Sequence, residues 1–238
     1  MRSLFLGLLF TSALVFSAAA QNARPQFRPA VLGSGSDSLI NRIDAKALLA
    51  KGQKDGAVMF SAEVAPNGDA VSAWTYRALP GTEALEAELN KALKGVKFTP
   101  PIYNYQPARV LLFATVNFSA VTTPHLQIFL NQDPKELKSA NDFISPQPVI
   151  GADSGFQGLK PPKDGSPVPL TAVVDLELKV NKDGSMKSVE VLNEDPPLLN
   201  YGKAAMENFK DAKFIPAFRA GEAVDADVAL PISYPPVK

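Results

Sequence analysis

The stretch AVVDLELKVNKDG, residues 172–184, decides the fold class of the second half of this chain. Apolar and polar residues alternate from Ala172 to Val180, which is typical of a β-strand with one buried face. Asp183-Gly184 follows, and this pair favours a tight hairpin because glycine accepts a positive φ angle without a Cβ clash. Residues 185–193 alternate again, so we expect a second, antiparallel strand.

A helix and a third strand complete this unit. Tyr201, Ala205 and Phe209 recur every four residues within 198–212, which is the spacing of a helix that buries one face. The segment Ala226–Tyr234 then alternates once more. The order predicts an α+β unit of β-β-α-β type, with a three-stranded antiparallel sheet and a helix packed on one face.

The same order of elements occurs twice along the chain. A shift of 116 positions aligns residues 55–119 with 171–235 without a gap, and nine of the 65 aligned positions are identical. Three identical pairs lie at the expected turn and after the helix: Gly68 with Gly184, Phe98 with Phe214, and Pro100 with Pro216. We therefore predict two copies of the β-β-α-β unit in tandem.

The domain boundaries follow from this repeat. We place the first unit at residues 36–120, a linker with a short helix at 121–144, and the second unit at 145–238. The apolar spacing within 36–51 predicts one further helix, covering the first sheet.

The first 20 residues have the pattern of a secretory signal peptide: a basic start, an apolar middle and small residues before Gln21. This pattern predicts an exported protein. The alternative is an uncleaved helix that anchors the chain in the inner membrane. No later stretch reaches the length of a membrane span, so no stable span is expected after cleavage.

Charge and composition exclude several classes of function. Without residues 1–20, 23 basic residues face 24 acidic ones, so nucleic-acid binding, which needs a basic face, is not expected. The chain has no cysteine, which excludes thiolate zinc sites and cysteine nucleophiles. Its single histidine, His125, has no recognisable catalytic partner. We therefore expect neither an enzyme nor a cofactor or metal site.

The second unit resembles a known family. Val180-Asn-Lys-Asp-Gly184, the helix, and then Phe214-Ile-Pro216-Ala217-Phe-Arg-Ala-Gly221-Glu-Ala-Val224 are similar to the C-terminal domain of the TonB energy-transducer family, over roughly residues 145–235. The first unit has Pro101 in place of Ala217 and Tyr105 in place of Gly221, so we interpret it as a diverged duplicate. The residues expected to define the fold are Gly68, Phe98, Pro100, Gly184, Phe214, Pro216 and Gly221.

The resemblance implies a function. The family's domain binds a short segment of an outer-membrane receptor by adding it as an extra strand, using backbone groups that an edge strand leaves unpaired. By analogy the edge is the last strand, Ala226–Tyr234, and the side chains expected to contact a partner are Val228, Leu230, Ile232 and Tyr234.

The resemblance therefore predicts a periplasmic protein that binds a protein or an extended peptide, with an outer-membrane receptor as one candidate. The family's transducers carry a membrane helix and a long proline-rich spacer before this domain, and neither is recognisable here, so energy transduction is not expected. The alternative is a structural or assembly protein whose sheet edges pair with another copy, for example as a homodimer.

Overall fold

A computed structural model describes residues 24–139, 142–163 and 170–235. The predicted signal peptide, residues 1–20, lies outside the described residues. The chain is a mixed α/β protein with several antiparallel sheets and few helices, which agrees with the predicted class at that level. The α-helices are α1 (Ala45–Ala50), α2 (Glu83–Ala92), α3 (Glu136–Ser139) and α4 (Tyr201–Phe209), and short 3-10 helices cover Leu39–Arg42 and Ala152–Ser154.

The first large sheet has four antiparallel strands. They are β1 (Gly56–Val64), β2 (Ala70–Ala78), β3 (Val110–Ser119) and β4 (His125–Phe129). Their order across the sheet is β2-β1-β3-β4. The apolar face of this sheet packs against α2 through Leu85, Leu89 and Leu93.

The second large sheet has three antiparallel strands, namely β5 (Ala172–Val180), β6 (Met186–Asp195) and β7 (Ala226–Tyr234). Their order is β6-β5-β7, so β6 and β7 are the two edges. The alternation in β5 buries every second residue from Ala172 to Val180. These side chains pack against Tyr201, Ala205 and Phe209 of α4.

The two hairpins are built alike. Gly68 and Gly184 have φ angles of +87° and +81°. The carbonyl of Gly68 accepts a hydrogen bond from Phe98 N at 2.8 Å, and that of Gly184 accepts one from Phe214 N at 2.9 Å. A Cβ at either glycine would lie 2.2 Å or 2.1 Å from the facing phenylalanine carbonyl oxygen, so both positions require glycine.

Smaller ladders repeat with the same spacing of 116 positions. Phe27–Arg28 pairs with Ile102–Tyr103. Phe143–Ile144 pairs with the corresponding residues of Ala217–Arg219. The remaining short strands are Gln106–Pro107, Gln147–Pro148, Phe214–Ile215 and Glu222–Val224. The repeated pairings thus begin at residues 27 and 143, before the predicted unit starts at 36 and 145.

Two expectations differ from the structure. The predicted linker 121–144 contains the short helix α3, but it also contributes β4, which pairs with β3 and makes the first sheet four-stranded. The single helix predicted for 36–51 is two short helices, because Ile43 is extended and the Asp44 side chain caps α1 by accepting hydrogen bonds from Lys46 N and Ala47 N.

The two units share their hydrophobic cores. Val149 and Ile215, from the second half of the chain, are buried in the first core. Leu111 and Phe113, which lie on β3, are buried in the second core. The face of the first sheet that turns away from α2 is therefore covered by the second unit.

Candidate protein-binding edges

Among the residues that the structure describes, the final strand, β7, has one strand neighbour, β5. Its residues Val228, Leu230, Ile232 and Tyr234, which were predicted to contact a partner, are at most 2% exposed and belong to the second core. They point towards the helix layer and not into solvent. Their apolar character is explained by packing, and binding through this strand stays a prediction.

Side chains of the same chain occupy the outer edge of β7. The backbone N–H of Ala229 donates to Asp133 Oδ2 at 2.6 Å. The carbonyl oxygen of Pro231 lies 3.0 Å from the hydroxyl oxygen of Tyr76, on β2. Pro231 has no N–H to offer, which further reduces what a neighbouring strand could bond. An added strand would have to displace both side chains.

Asp133 also begins the helix α3. Its Oδ1 accepts hydrogen bonds from Lys135 N at 2.7 Å and Glu136 N at 3.2 Å, while Oδ2 contacts Ala229. The side chain is 1% exposed. Each of its two oxygens is therefore used, one within the helix cap and one on the edge of β7.

Tyr76 is the centre of a buried polar network between the units. Its hydroxyl lies 2.7 Å from Gln132 Oε1 and accepts a hydrogen bond from Ser61 Oγ at 3.2 Å. The amide nitrogen of Gln132 donates to the carbonyl oxygens of Phe60 and Ala114. Burial raises the pKa of Tyr76 well above its usual value, so the phenol stays neutral over the physiological range.

A second tie between the units is an ion pair. Arg77 donates from both guanidinium nitrogens to the carboxylate of Asp175, at 2.6 Å and 3.0 Å. Asp175 lies on β5 directly opposite Pro231, so Arg77 reaches the face of the second sheet that turns away from α4. The hydrogen bonding to Asp175 is the main cause of the raised pKa of the Arg77 guanidinium.

The other edge of the second sheet, β6, has no second strand beside it among the described residues. In an antiparallel sheet, the residues of the central strand bond alternately to one neighbour and then to the other. The backbone N–H of Ala229 and the carbonyl of Pro231 point away from β5. The backbone groups of their partners on β5, Glu177 and Asp175, therefore bond towards β6. Leu176 lies between Asp175 and Glu177 on β5, so it bonds towards β7. Val191 is the partner of Leu176 on β6, and its backbone N–H and C=O therefore point away from β5.

Exposed apolar side chains accompany this open edge. Val191 is 39% and Leu192 is 58% exposed, and Leu192 occupies a bulge, with no direct partner in β5. Leu198, in the loop that follows, is 93% exposed with a φ of +67°. Backbone groups and apolar side chains together form a surface of the kind that an extended peptide can use.

The predicted fold-defining residues also have clear structural places. Phe98 and Phe214 are buried, and each bonds to its hairpin glycine. The δ carbons of Pro100 and Pro216 lie beside those glycines. Gly221 forms a tight turn with φ +84°, and the first unit keeps this turn with Tyr105 at φ +65°, although it lacks the glycine.

Of the remaining candidates, His125 lies exposed at a pocket of about 340 Å³, with Nδ1 3.1 Å from Thr123 O. Within the described ranges, acidic, cysteine and histidine side chains do not gather in groups of three that could hold a metal ion. In the same residues, every helix is too short or too polar to cross a membrane.

Sequence reasoning missed the residues that cover β7. The sequence analysis predicted a short helix within the linker 121–144, and Asp133 caps this helix. Its contact with Ala229, 96 positions away, has no local signal. Tyr76 lies in a strand with alternating residues. This pattern predicts that one face of the strand is packed, but it does not show which residues that face packs against.

One family model matches the chain. Residues 168–236 match the family described as Gram-negative bacterial TonB protein C-terminal, which supports the resemblance of the second unit. This match is consistent with a TonB-like periplasmic protein and with a chain that is not an enzyme. No curated protein and no solved structure matches the chain.

Proposed function

We propose that this chain is an exported periplasmic protein with two tandem TonB C-terminal-like units, which binds an extended segment of a partner protein by adding it as a strand to the second sheet. The matching family model describes a C-terminal domain, and the proposal concerns binding by that domain without energy transduction by this chain. A segment of an outer-membrane receptor is the partner that the family suggests.

The observation that carries the proposal is the open edge β6. Among the described residues no second strand pairs with β6 on its outer side, and Val191 and Leu192 place apolar surface there. A partner strand would gain backbone hydrogen bonds from the edge and side-chain contacts from these residues. Along β7, by contrast, backbone groups are already bonded within the chain.

Tandem duplication is supported by pairings that repeat at a fixed offset. The bridges Leu32 to Phe98 and Asp69 to Lys97 recur 116 positions later, as Pro148 to Phe214 and Ser185 to Lys213. The bulge between Glu63 and Val64 also recurs, between Lys179 and Val180. Pairings and a bulge that share one offset favour the duplication of a single ancestral unit.

Strand addition is tested by removing one outward donor from β6. Val191→Pro deletes the outward N–H and leaves the inward ladder bonds of its neighbours. Val191→Thr is the matched control, since it keeps the N–H and the β-branch. Residues 21–238 of each variant are used to capture proteins from envelope extract, after circular dichroism has shown that the sheets are intact.

We expect a protein that is captured by the wild type and by Val191→Thr to be lost with Val191→Pro. Cross-linking followed by mass spectrometry should place the captured segment beside Met186–Asp195. Equal capture by all three chains would reject β6 as the binding edge.

Self-association is the second candidate, and the same open edge favours it. Two copies of β6 could pair with each other and leave no exposed ladder groups. Sedimentation over a hundredfold range of protein concentration separates the two functions: a monomer at every concentration argues against assembly, and a dimer that Val191→Pro dissociates argues for it.

A further inference from the structure

The segment that connects the two units contacts the last strand of each unit, β3 in the first and β7 in the second. Residues His125–Phe129 form β4, which adds antiparallel to β3 and fills the outer edge of the first unit's last strand. A few positions later, Asp133 reaches the outer edge of β7, the last strand of the second unit. One stretch of nine residues therefore closes both equivalent edges, one with a strand and the other with a side chain.

The chain itself shows what the edge of a terminal strand can bind. β3 and β7 correspond under the shift of 116 positions, and β3 accepts an extended segment in antiparallel register, with Thr115 opposite Phe129. The equivalent of Thr115 in β7 is Pro231, whose carbonyl oxygen contacts Tyr76. In the second unit the corresponding place is held by side chains of Asp133 and Tyr76.

Side chains can leave an edge more easily than a strand can. A strand on an edge is held by several ladder bonds at once, whereas the contacts described above hold β7 through one bond from Ala229 and one to Pro231. Contacts that involve little backbone structure can open while the rest of a protein stays folded.

We propose that the side chains of Asp133 and Tyr76 form a removable cover on β7, so that an extended peptide reaches this second edge only after the Asp133 side chain has withdrawn. This inference rests on the proposed strand addition, extends it to a second edge and assigns a role to the first unit. Arg77, through its ion pair with Asp175, holds the first unit in the covering position.

Asp133→Asn opens the cover with the smallest change. The Asn side-chain oxygen can still cap α3, because Asn is as good a helix N-cap as Asp. The amide nitrogen, in place of Oδ2, meets the Ala229 N–H as a second donor and cannot bond it. Asp44→Asn is the matched control, since Asp44 caps α1 in the same way, with bonds to Lys46 N and Ala47 N, and does not contact β7.

A single thiol reports the opening, because the chain has no cysteine of its own. Ser233 lies on β7, is 1% exposed and alternates to the face opposite the second core. The first unit reaches this face of the sheet through Arg77 and Asp175. We therefore expect Ser233→Cys to become reactive when the first unit and its cover move away from β7. Val228→Cys, on the core side of the same strand, becomes reactive only when the sheet unfolds.

We expect a disulfide reagent to label Ser233→Cys faster than Val228→Cys under native conditions. Loss of a charge-assisted hydrogen bond corresponds to an increase of about 10- to 100-fold in opening, so Asp133→Asn should accelerate the labelling of Ser233→Cys by about that factor. Asp44→Asn should leave the rate unchanged. Equal rates for the two thiols, or equal acceleration of both, would overturn the proposal.

Amide hydrogen exchange of the wild-type chain provides the same comparison without a cysteine. The Ala229 amide should exchange faster than the Leu230 amide, which bonds inwards to β5, and its exchange should depend little on urea. Identical exchange of both amides through global unfolding would show that the cover does not open.

The last experiment measures access, with a labelled peptide of residues 123–131 as the probe, because this segment already pairs with the equivalent edge of the first unit. We expect Asp133→Asn to bind the peptide at least tenfold more tightly than the wild type and Asp44→Asn. Equal or undetectable binding to all three would reject β7 as a binding edge. Failure of the partner capture at β6 would leave the thiol and exchange results unaffected.

Discussion

Replacement of Gly184 by alanine tests how the second hairpin is held against the segment after α4. An added Cβ would lie 2.1 Å from the carbonyl oxygen of Phe214 and 3.2 Å from its carbonyl carbon. The carbonyl of Gly184 also accepts a hydrogen bond from Phe214 N at 2.9 Å. The methyl group can be accommodated only if the two backbones separate, which breaks this bond.

The expected loss of stability has two parts. A left-handed backbone costs a non-glycine residue about 1–2 kcal/mol, and loss of the buried hydrogen bond adds about 1 kcal/mol or somewhat more. We expect Gly184→Ala to lower the free energy of unfolding by about 3 kcal/mol. Gly221→Ala is the matched control: its φ is +84°, with no atom within 4 Å of the new Cβ, so it should cost only about 1–2 kcal/mol.

Urea unfolding followed by far-ultraviolet circular dichroism measures both variants. The difference between them isolates the close approach of the Phe214 carbonyl, because the substitution and the φ angle are the same. Equal losses would refute the reasoning. Gly68→Ala repeats the experiment in the first unit, where the facing oxygen, on Phe98, would lie 2.2 Å away.

Three further outcomes are expected. Leu230→Ala removes a buried side chain from the second core and should cost about 2–4 kcal/mol of unfolding free energy, whereas Leu192→Ala, at an exposed position, should change it by less than about 0.5 kcal/mol; chemical unfolding compares the two. Burial raises the pKa of Tyr76 and of Tyr234, so the folded state favours the neutral phenols. The contribution of these groups to stability should be constant below about pH 10 and fall as the pH rises further. Tyr76→Phe should reduce that fall in thermal melts measured over a pH series, and an unchanged pH dependence would contradict this prediction. The carboxylate of Glu194 accepts hydrogen bonds from Leu199 N, Tyr201 N and Gly202 N at the start of α4. Glu194→Gln should therefore lower the free energy of unfolding by about 1–2 kcal/mol. Glu190→Gln, at an exposed position of β6, should leave it unchanged.

The two edges of the second sheet differ in what they leave unbonded. On β7 the side chains predicted to contact a partner are packed in the second core. The backbone groups of Ala229 and Pro231 on its outer edge are bonded to Asp133 and Tyr76. On β6 no second strand is paired among the described residues. If the proposed strand addition takes place, the contacts within the chain favour β6 over β7 as the edge that receives it.

Several features could be predicted from short stretches of sequence. Alternation from Ala172 to Val180 and the Asp183-Gly184 turn predict the first hairpin of the second unit, and its strands and turn lie where expected. The positions of Gly68 and Gly184 follow from turn chemistry, and their close approach to Phe98 and Phe214 explains why the same residues recur in both halves.

The fourth strand of the first sheet and the cover on β7 had no such signal. The weak alternation of His125–Phe129 does not show which strand these five residues pair with. An aspartate before a proline predicts a helix cap, but it does not show that the same side chain also bonds Ala229. Both features depend on how the first sheet docks on the second unit.

The sequence by itself determined the alternating strands and the glycine turns of the two hairpins and the amphipathic helices that follow them, because these depend on side-chain periodicity and backbone sterics within about 20 residues. Only the tertiary structure decided which sheet edge is open. Asp133 and Ala229 lie 96 positions apart, and their contact exists because two independently patterned surfaces pack together, a relation that no local pattern encodes.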